Sequence, residues 1–230
     1  MSDGMDILIE LGPKGKKFAA FAPDWPGLER GGKSVEIATE RVLAYRDRYA
    51  PIAAAAGLAD EFSRTTVEAG SLTSFQGTPS TDYWGISFAF SDFDHQPMSV
   101  DDLERDLALL QGCWAFFDGV GARVSAELRL GPRGGGRSRN DIIRHTLWCE
   151  QEWRPRKGLP KIEHVMVEPD ERDAGRQEYL ATIRAYHAEG KSAGKWPLRY
   201  LIRHSAYHML DHAWEMEDRD LTHELGASAS

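Results

Sequence analysis

The stretch HSAYHMLDHAWEMED, His204 to Asp218, places a histidine at every fourth position three times over. On a helix a step of four residues advances about 400°, so each imidazole sits about 40° round from the last and about 6 Å above it. His208 and His212 are then close neighbours on one stripe, a spacing that lets two imidazoles grip one metal ion. His204 lies about 80° round from His212, too far for all three rings to converge easily on one ion. The third ligand should therefore come from a facing helix, as metal sites in helical bundles are built. In RNDIIRHTLWCEQEW, His145 shares a helical face with Ile142 and Cys149, which makes it the natural partner. Three neutral nitrogens leave a position open for water or substrate, and the ion would lower the pKa of a thiol or water bound there. The same HxxxH spacing also occurs on helices that hold no metal, with the rings at the surface or hydrogen-bonded inside an apolar core.

The surroundings favour the inward reading. Leu201, Ser205, His208 and His212 fall along one line, so the pair continues a buried side. Asp211 and Glu215 are near enough to accept an imidazole N–H and fix its tautomer. Asp211 and Glu150 are the nearest candidates for orienting a ligand or handling a proton. His95 and His164 fall in loops, His187 near a helix end and His223 in the tail. Trp148, Trp153 and Trp214 are spaced as core residues. GPRGGGRS, Gly131 to Ser138, superficially fits a phosphate-cradling loop but has Arg137 where lysine should stand and lacks the flanking strands. Its glycines suit a turn between helices, and Arg133, Arg137 and Arg139 would attract an anionic substrate near the mouth of the site.

Four amphipathic helices must position these groups. The first runs from Ser99 with Leu103, Leu107, Leu110, Trp114, Phe117, Val120 and Val124 recurring at spacings of mostly three and four. The second spans about Asp141 to Trp153, the third follows Pro169 and ends at Gly190, and the fourth runs from Trp196-Pro197 to about Arg219. Upstream, MDILIEL and KKFAAFAP read as strands around the hairpin punctuation GPKGK. DWPGLERGGKS reads as a loop. Ser34 caps a helix with an apolar face of Ile37, Val42 and Tyr45 that ends at Gly57. Periodicity leaves SRTTVEAGS and TDYWGISFAF open between two further strands and an irregular connector.

RYLIRHSAYHMLDHAWEMEDRD, together with RNDIIRHTLWCEQEW, resembles the DinB family of helical bundles (also called DinB/YfiT-like). The resemblance covers roughly residues 100 to 220. It implies a divalent metal held by His145, His208 and His212, the trio that spacing also favours, and leaves His204 as a packing or outer residue. It implies metal-dependent chemistry, since that family includes transferases joining low-molecular-weight thiols to electrophiles, and hydrolases. DWPGLERGGKSVEIA resembles the N-terminal domain of HicB-like proteins through Asp24, Pro26, Gly27, Gly32, Ser34 and Ala38. No ribbon-helix-helix or helix-turn-helix pattern accompanies it, so a dimerising or lid-forming module is the plainer expectation, which leaves room for a homodimer.

The expected fold is α+β: a small HicB-like α/β domain over 1–62, a connector with strand candidates over 63–100, a DinB-like four-helix bundle over 101–222 and a tail over 223–230. The expected function is that of a metal-dependent enzyme, a thiol-dependent S-transferase first and a hydrolase second. Zinc is the leading metal, although three imidazoles also accept nickel, iron or copper. The alternative is a non-enzymatic scaffold whose HicB-like part engages a protein or RNA partner. At 230 residues and 41% hydrophobic content the chain can bury a real core. A net charge of −8 argues against non-specific nucleic-acid binding by the whole chain. No apolar run suits a membrane span and no leader opens the sequence, so a cytoplasmic protein with reduced, packed Cys113 and Cys149 is expected.

Overall fold

The computed structural model describes residues 4–131, 135–153, 158, 162, 164–222 and 224, so Arg133 and His223 lie outside the described residues. The fold is mixed α+β, an N-terminal four-stranded sheet followed by helices. Among the described residues no helix is long and apolar enough to cross a membrane. Two compact units form: Met1–Cys113 with Arg199–Tyr207, and Trp114–Leu198 with His208–Ser230.

The first unit holds the sheet. Strand β1 (Gly4–Leu11) buries Met5, Ile7 and Ile9 on alternate positions, as a half-covered strand should. The GPKGK segment closes a hairpin to β2 (Phe18–Phe21), pairing Leu8 with Phe21 and Leu11 with Phe18. Strand β3 (Glu29–Gly32) runs antiparallel to β2, and β4 (Thr66–Gln76) parallel to β1, giving the order β3-β2-β1-β4. A parallel pair needs a long crossover. Helices α1 (Val35–Ala44), α2 (Arg46–Ala55) and α3 (Ala59–Ser63) supply it. Ser34 Oγ accepts the Ile37 N–H to start α1, and Gly57, at φ 76, turns the chain out of α2. Gly32 lies so close beneath α1 that a Cβ there would sit 2.5 Å from the Ala38 nitrogen.

Several local expectations change. The helix after Ser34 breaks at Tyr45 into α1 and α2, and Pro51 lies inside α2, where it donates no N–H back up the helix. Ile37 is 39% exposed; the buried face is Ala38, Thr39 and Val42, small groups that let α1 approach β2 and β3. The segment read as a loop contains β3, whose Glu-Arg-Gly-Gly sequence carries no strand preference of its own and pairs because β2 templates it. Of the two segments left open, SRTTVEAGS enters β4, whereas TDYWGISFAF supplies most of the short helix α4 (Pro79–Trp84) and then irregular chain.

Buried charge fixes that irregular chain to the sheet. Arg203, 4% exposed, donates from Nε to Asp94 Oδ1 at 2.8 Å and from Nη2 to Asp94 Oδ2 at 2.9 Å, and from Nη1 to Ser87 Oγ. Glu29 stands 3.8 Å from the same guanidinium and accepts the Ser87 N–H. Glu10 accepts from Ser87 Oγ, Thr81 Oγ1 and the backbone N–H groups of Phe88 and Ala89. Burial pushes the Asp94 carboxyl up, but Arg203 and Ser91 outweigh it and hold the group below its usual range.

Asp106 is placed differently. It is 6% exposed on helix α5 (Val100–Arg123), with Arg105 and Arg199 nitrogens only as near as 3.7 and 3.8 Å. Burial raises its carboxyl to about 7 against the pull of the two arginines. A carboxyl that holds its proton more tightly folded than unfolded stabilises the fold at low pH. That contribution is lost as the pH rises from about 4, the unfolded value, through about 7. Asp106→Asn should remove the dependence. Its stability relative to the wild type is expected to improve by on the order of 2–3 kcal/mol between pH 5 and 8, read from urea midpoints. An unchanged difference across that range would place the charge elsewhere.

The second unit is helical. It takes the C-terminal half of α5, then α6 (Arg139–Glu152) and α7 (Pro169–Ala188), and most of the histidine stretch on α8 (Leu198–Asp218). Phe117, Val120, Ile142, Leu147, Leu180, Ile183, Leu210 and Trp214 are buried within it. Trp114 and Arg176 tie three of these segments together. The Trp114 indole N–H donates to Glu150 at 2.9 Å, and Arg176 pairs with Asp118 at 2.6 Å while lying over the Trp114 ring. Trp148, expected in the core, is 41% exposed, whereas Trp214 is fully buried.

Candidate metal centre

Helix α6 begins on a reciprocal cap. Ser138 Oγ accepts the Asp141 N–H and Asp141 accepts the Ser138 N–H, so two otherwise orphaned donors are satisfied. Burial of Ile142, Thr146 and Leu147 then sets the rotation of the helix and leaves His145 and Cys149 one turn apart on a partly open face. On α8, burial of Met209, Leu210, Ala213 and Trp214 sets the rotation that places half-buried His208 and buried His212 one turn apart.

The two helices bring the three predicted imidazoles together. Ring centroids are 5.7 Å apart for His145 and His208, 5.0 Å for His145 and His212, and 4.8 Å for His208 and His212. His204 is absent from this group. It is buried in the first unit, stacked on Tyr200 at 5.2 Å and tilted against Phe88, as one of the two roles left to it, packing or outer residue, would have it.

Of the two acids expected to accept an imidazole N–H, Glu215 takes the role. His212 Nδ1 donates to Glu215 Oε2 at 2.9 Å, which leaves His212 Nε2 as the lone-pair nitrogen. Arg219 and Arg137 flank Glu215 at 3.0 and 3.7 Å. The His212 hydrogen bond, reinforced by those arginines, holds the Glu215 carboxyl below its usual range despite partial burial. Burial, then the nearby His212 and Arg137, lowers the His145 pKa and keeps its ring neutral at pH 7, the form that donates to a metal. Asp211 is half-buried on α8, and Glu150 is half-buried on α6 with its carboxylate taking the Trp114 N–H.

One donor lies outside the predicted trio. Cys149, expected as a packing residue, is free and half-buried, and its Sγ is 3.9 Å from both ring nitrogens of His145. The donor atoms of His145, Cys149 and His208 all fall within 4.8 Å of one another, close enough to hold one metal ion. Burial raises the thiol pKa, with Arg137 opposing and Glu150 and Glu152 adding to it. The signal was present as HxxxC, the same four-residue step as HxxxH. The other cysteine, Cys113, is fully buried in the first unit, and burial pushes its thiol far up, which makes it inert. Trp153 completes the surroundings, its ring 5.0 Å from that of His208.

The donor set suits a divalent ion of borderline softness. Imidazole nitrogens and a thiol sulfur converge, one ring is oriented by a carboxylate, and Arg137 stands close enough to act on His145 and Glu215. Models of known families, curated proteins and solved structures were all compared with the chain, and none of them matches it.

Proposed function

We propose that this chain is a cytosolic metal-dependent enzyme with a DinB-like four-helix bundle, its ion held by His145, His208 and His212. The observation that carries this reading is the meeting of one imidazole from α6 with two from α8, within 5.7 Å centroid to centroid. Zinc is the first choice of metal, and nickel, iron or copper would also accept these nitrogens. Such an ion supplies Lewis acidity that makes a thiol or water nucleophilic at neutral pH. Transfer of a low-molecular-weight thiol to an electrophile is the leading reaction, and hydrolysis the second. Within the chain, Glu215 orients His212, Arg137 draws an anionic substrate, and Asp211 and Glu150 are the groups assigned to proton handling.

Elemental analysis of protein purified without an affinity tag tests the reading directly. About one divalent ion per chain is expected from a single site of this kind. The loaded protein should also speed loss of free thiol in the presence of an alkylating electrophile. Metal-free protein that gains none on incubation with zinc would sink the proposal.

A second reading rests on β4. This eleven-residue strand is an edge of the sheet, and most of it is exposed. An unpaired edge is a template for another strand. A HicB-like domain that binds a protein or RNA partner there, with the helical unit as a non-enzymatic scaffold, would leave the metal bound while the loaded protein failed to speed the loss of free thiol.

A further inference from the structure

Building on the three-histidine reading, we propose that Cys149 is a further protein ligand, its thiolate occupying the position that the histidines leave open until an incoming thiol displaces it. Cys149 follows His145 by four residues on α6, as His212 follows His208 on α8. Each helix thereby presents a stacked pair of donors. The Cys149 Sγ stands 3.9 Å from the His145 nitrogens, and the donors of His145, Cys149 and His208 lie within 4.8 Å of one another. The ring of His212 stands beside that cluster, its centroid 4.8 Å from that of His208, with Nδ1 taken by Glu215.

These separations suit one ion. Around a tetrahedral ion with bonds of about 2.0–2.3 Å, neighbouring donors sit about 3.3–3.8 Å apart. The observed separations, up to 4.8 Å, exceed this spacing by about 1 Å. The Cys149 proton leaves to solvent as the thiolate binds.

Two consequences separate this set from three histidines alone. A thiolate favours zinc, cobalt and copper over magnesium, calcium or manganese. It also fills the position that an incoming thiol would need, so Cys149 competes with substrate for the ion and sets which thiols can enter.

Cobalt(II) reports this through its spectrum, without any need for turnover. The full chain is stripped with a chelator and loaded with cobalt. The wild type should show visible d–d bands and a sulfur-to-cobalt charge-transfer band in the near ultraviolet. Cys149→Ala should lose the charge-transfer band while still binding one cobalt, and added 2-mercaptoethanol should bring the band back. Cys149→Ser serves if the alanine variant loses its helical circular dichroism. Cobalt bound without a sulfur band, or a band that survives in Cys149→Ala, overturns the proposal and leaves the three-histidine site standing. A wild type that takes up no cobalt overturns both.

Discussion

Replacing His208 with alanine should leave the purified protein essentially free of metal. The ring of His208 lies close to those of His145, His212 and Trp153. Its removal takes away one of two donors on α8 and leaves His212 without its stacked neighbour. Loss of an outer partner alone typically weakens metal affinity about 10–100-fold, so loss of a direct ligand should exceed about 100-fold. Competition for zinc against a chromophoric chelator measures this, with helical circular dichroism as the control for folding. The half-buried position of His208 makes the alanine variant tolerable to the fold. An affinity within a few fold of the wild type would mean that the three rings meet for packing alone.

The largest effect on stability should come from Arg203. Arg203→Leu removes the guanidinium described against Asp94, Glu29 and Ser87, and takes that counter-charge from two carboxylates that are 3% and 2% exposed. Breaking a buried pair in this way typically costs about 3–5 kcal/mol, because the remaining carboxylates keep neutral hydrogen-bond donors but no counter-charge from Arg203. The loss should appear as a fall in urea midpoint at neutral pH. It should shrink as the pH drops through and below the acid range in which Asp94 titrates, since Arg203, with Ser91, holds that carboxyl below its usual value and protonation removes the charge that Arg203 faces. A variant within about 1 kcal/mol of the wild type would show that the network serves specificity more than stability.

The helices of the second unit were legible because their apolar residues repeat at three and four and their ends carry plain signals. Ser138 caps α6, Pro169 opens α7 and Pro197 precedes α8. The three-histidine meeting was legible for the same reason, since helical rotation alone separates His204 from His208 and His212. Cys149 was not, because a cysteine in an apolar pattern reads equally well as packing, and only the facing histidines distinguish the two. The sheet was half legible. β1 and β2 alternate around an obvious turn, but β3 has no strand-forming residues and owes its pairing to β2. Arg203 left no trace in the sequence, since its carboxylates at Glu29 and Asp94 come from two distant segments that only the folded chain assembles.

The pairing of β1 with β4 slips twice, between Gly4 and Met5 and again between Met5 and Ile7, and becomes regular from Ile7–Leu72 to Leu11–Gln76. A strand with such irregularities offers no uniform ladder for endless stacking of identical chains. The extra residues fall on β4 and raise its local twist, so the near end of that strand departs from the flat edge that strand addition needs.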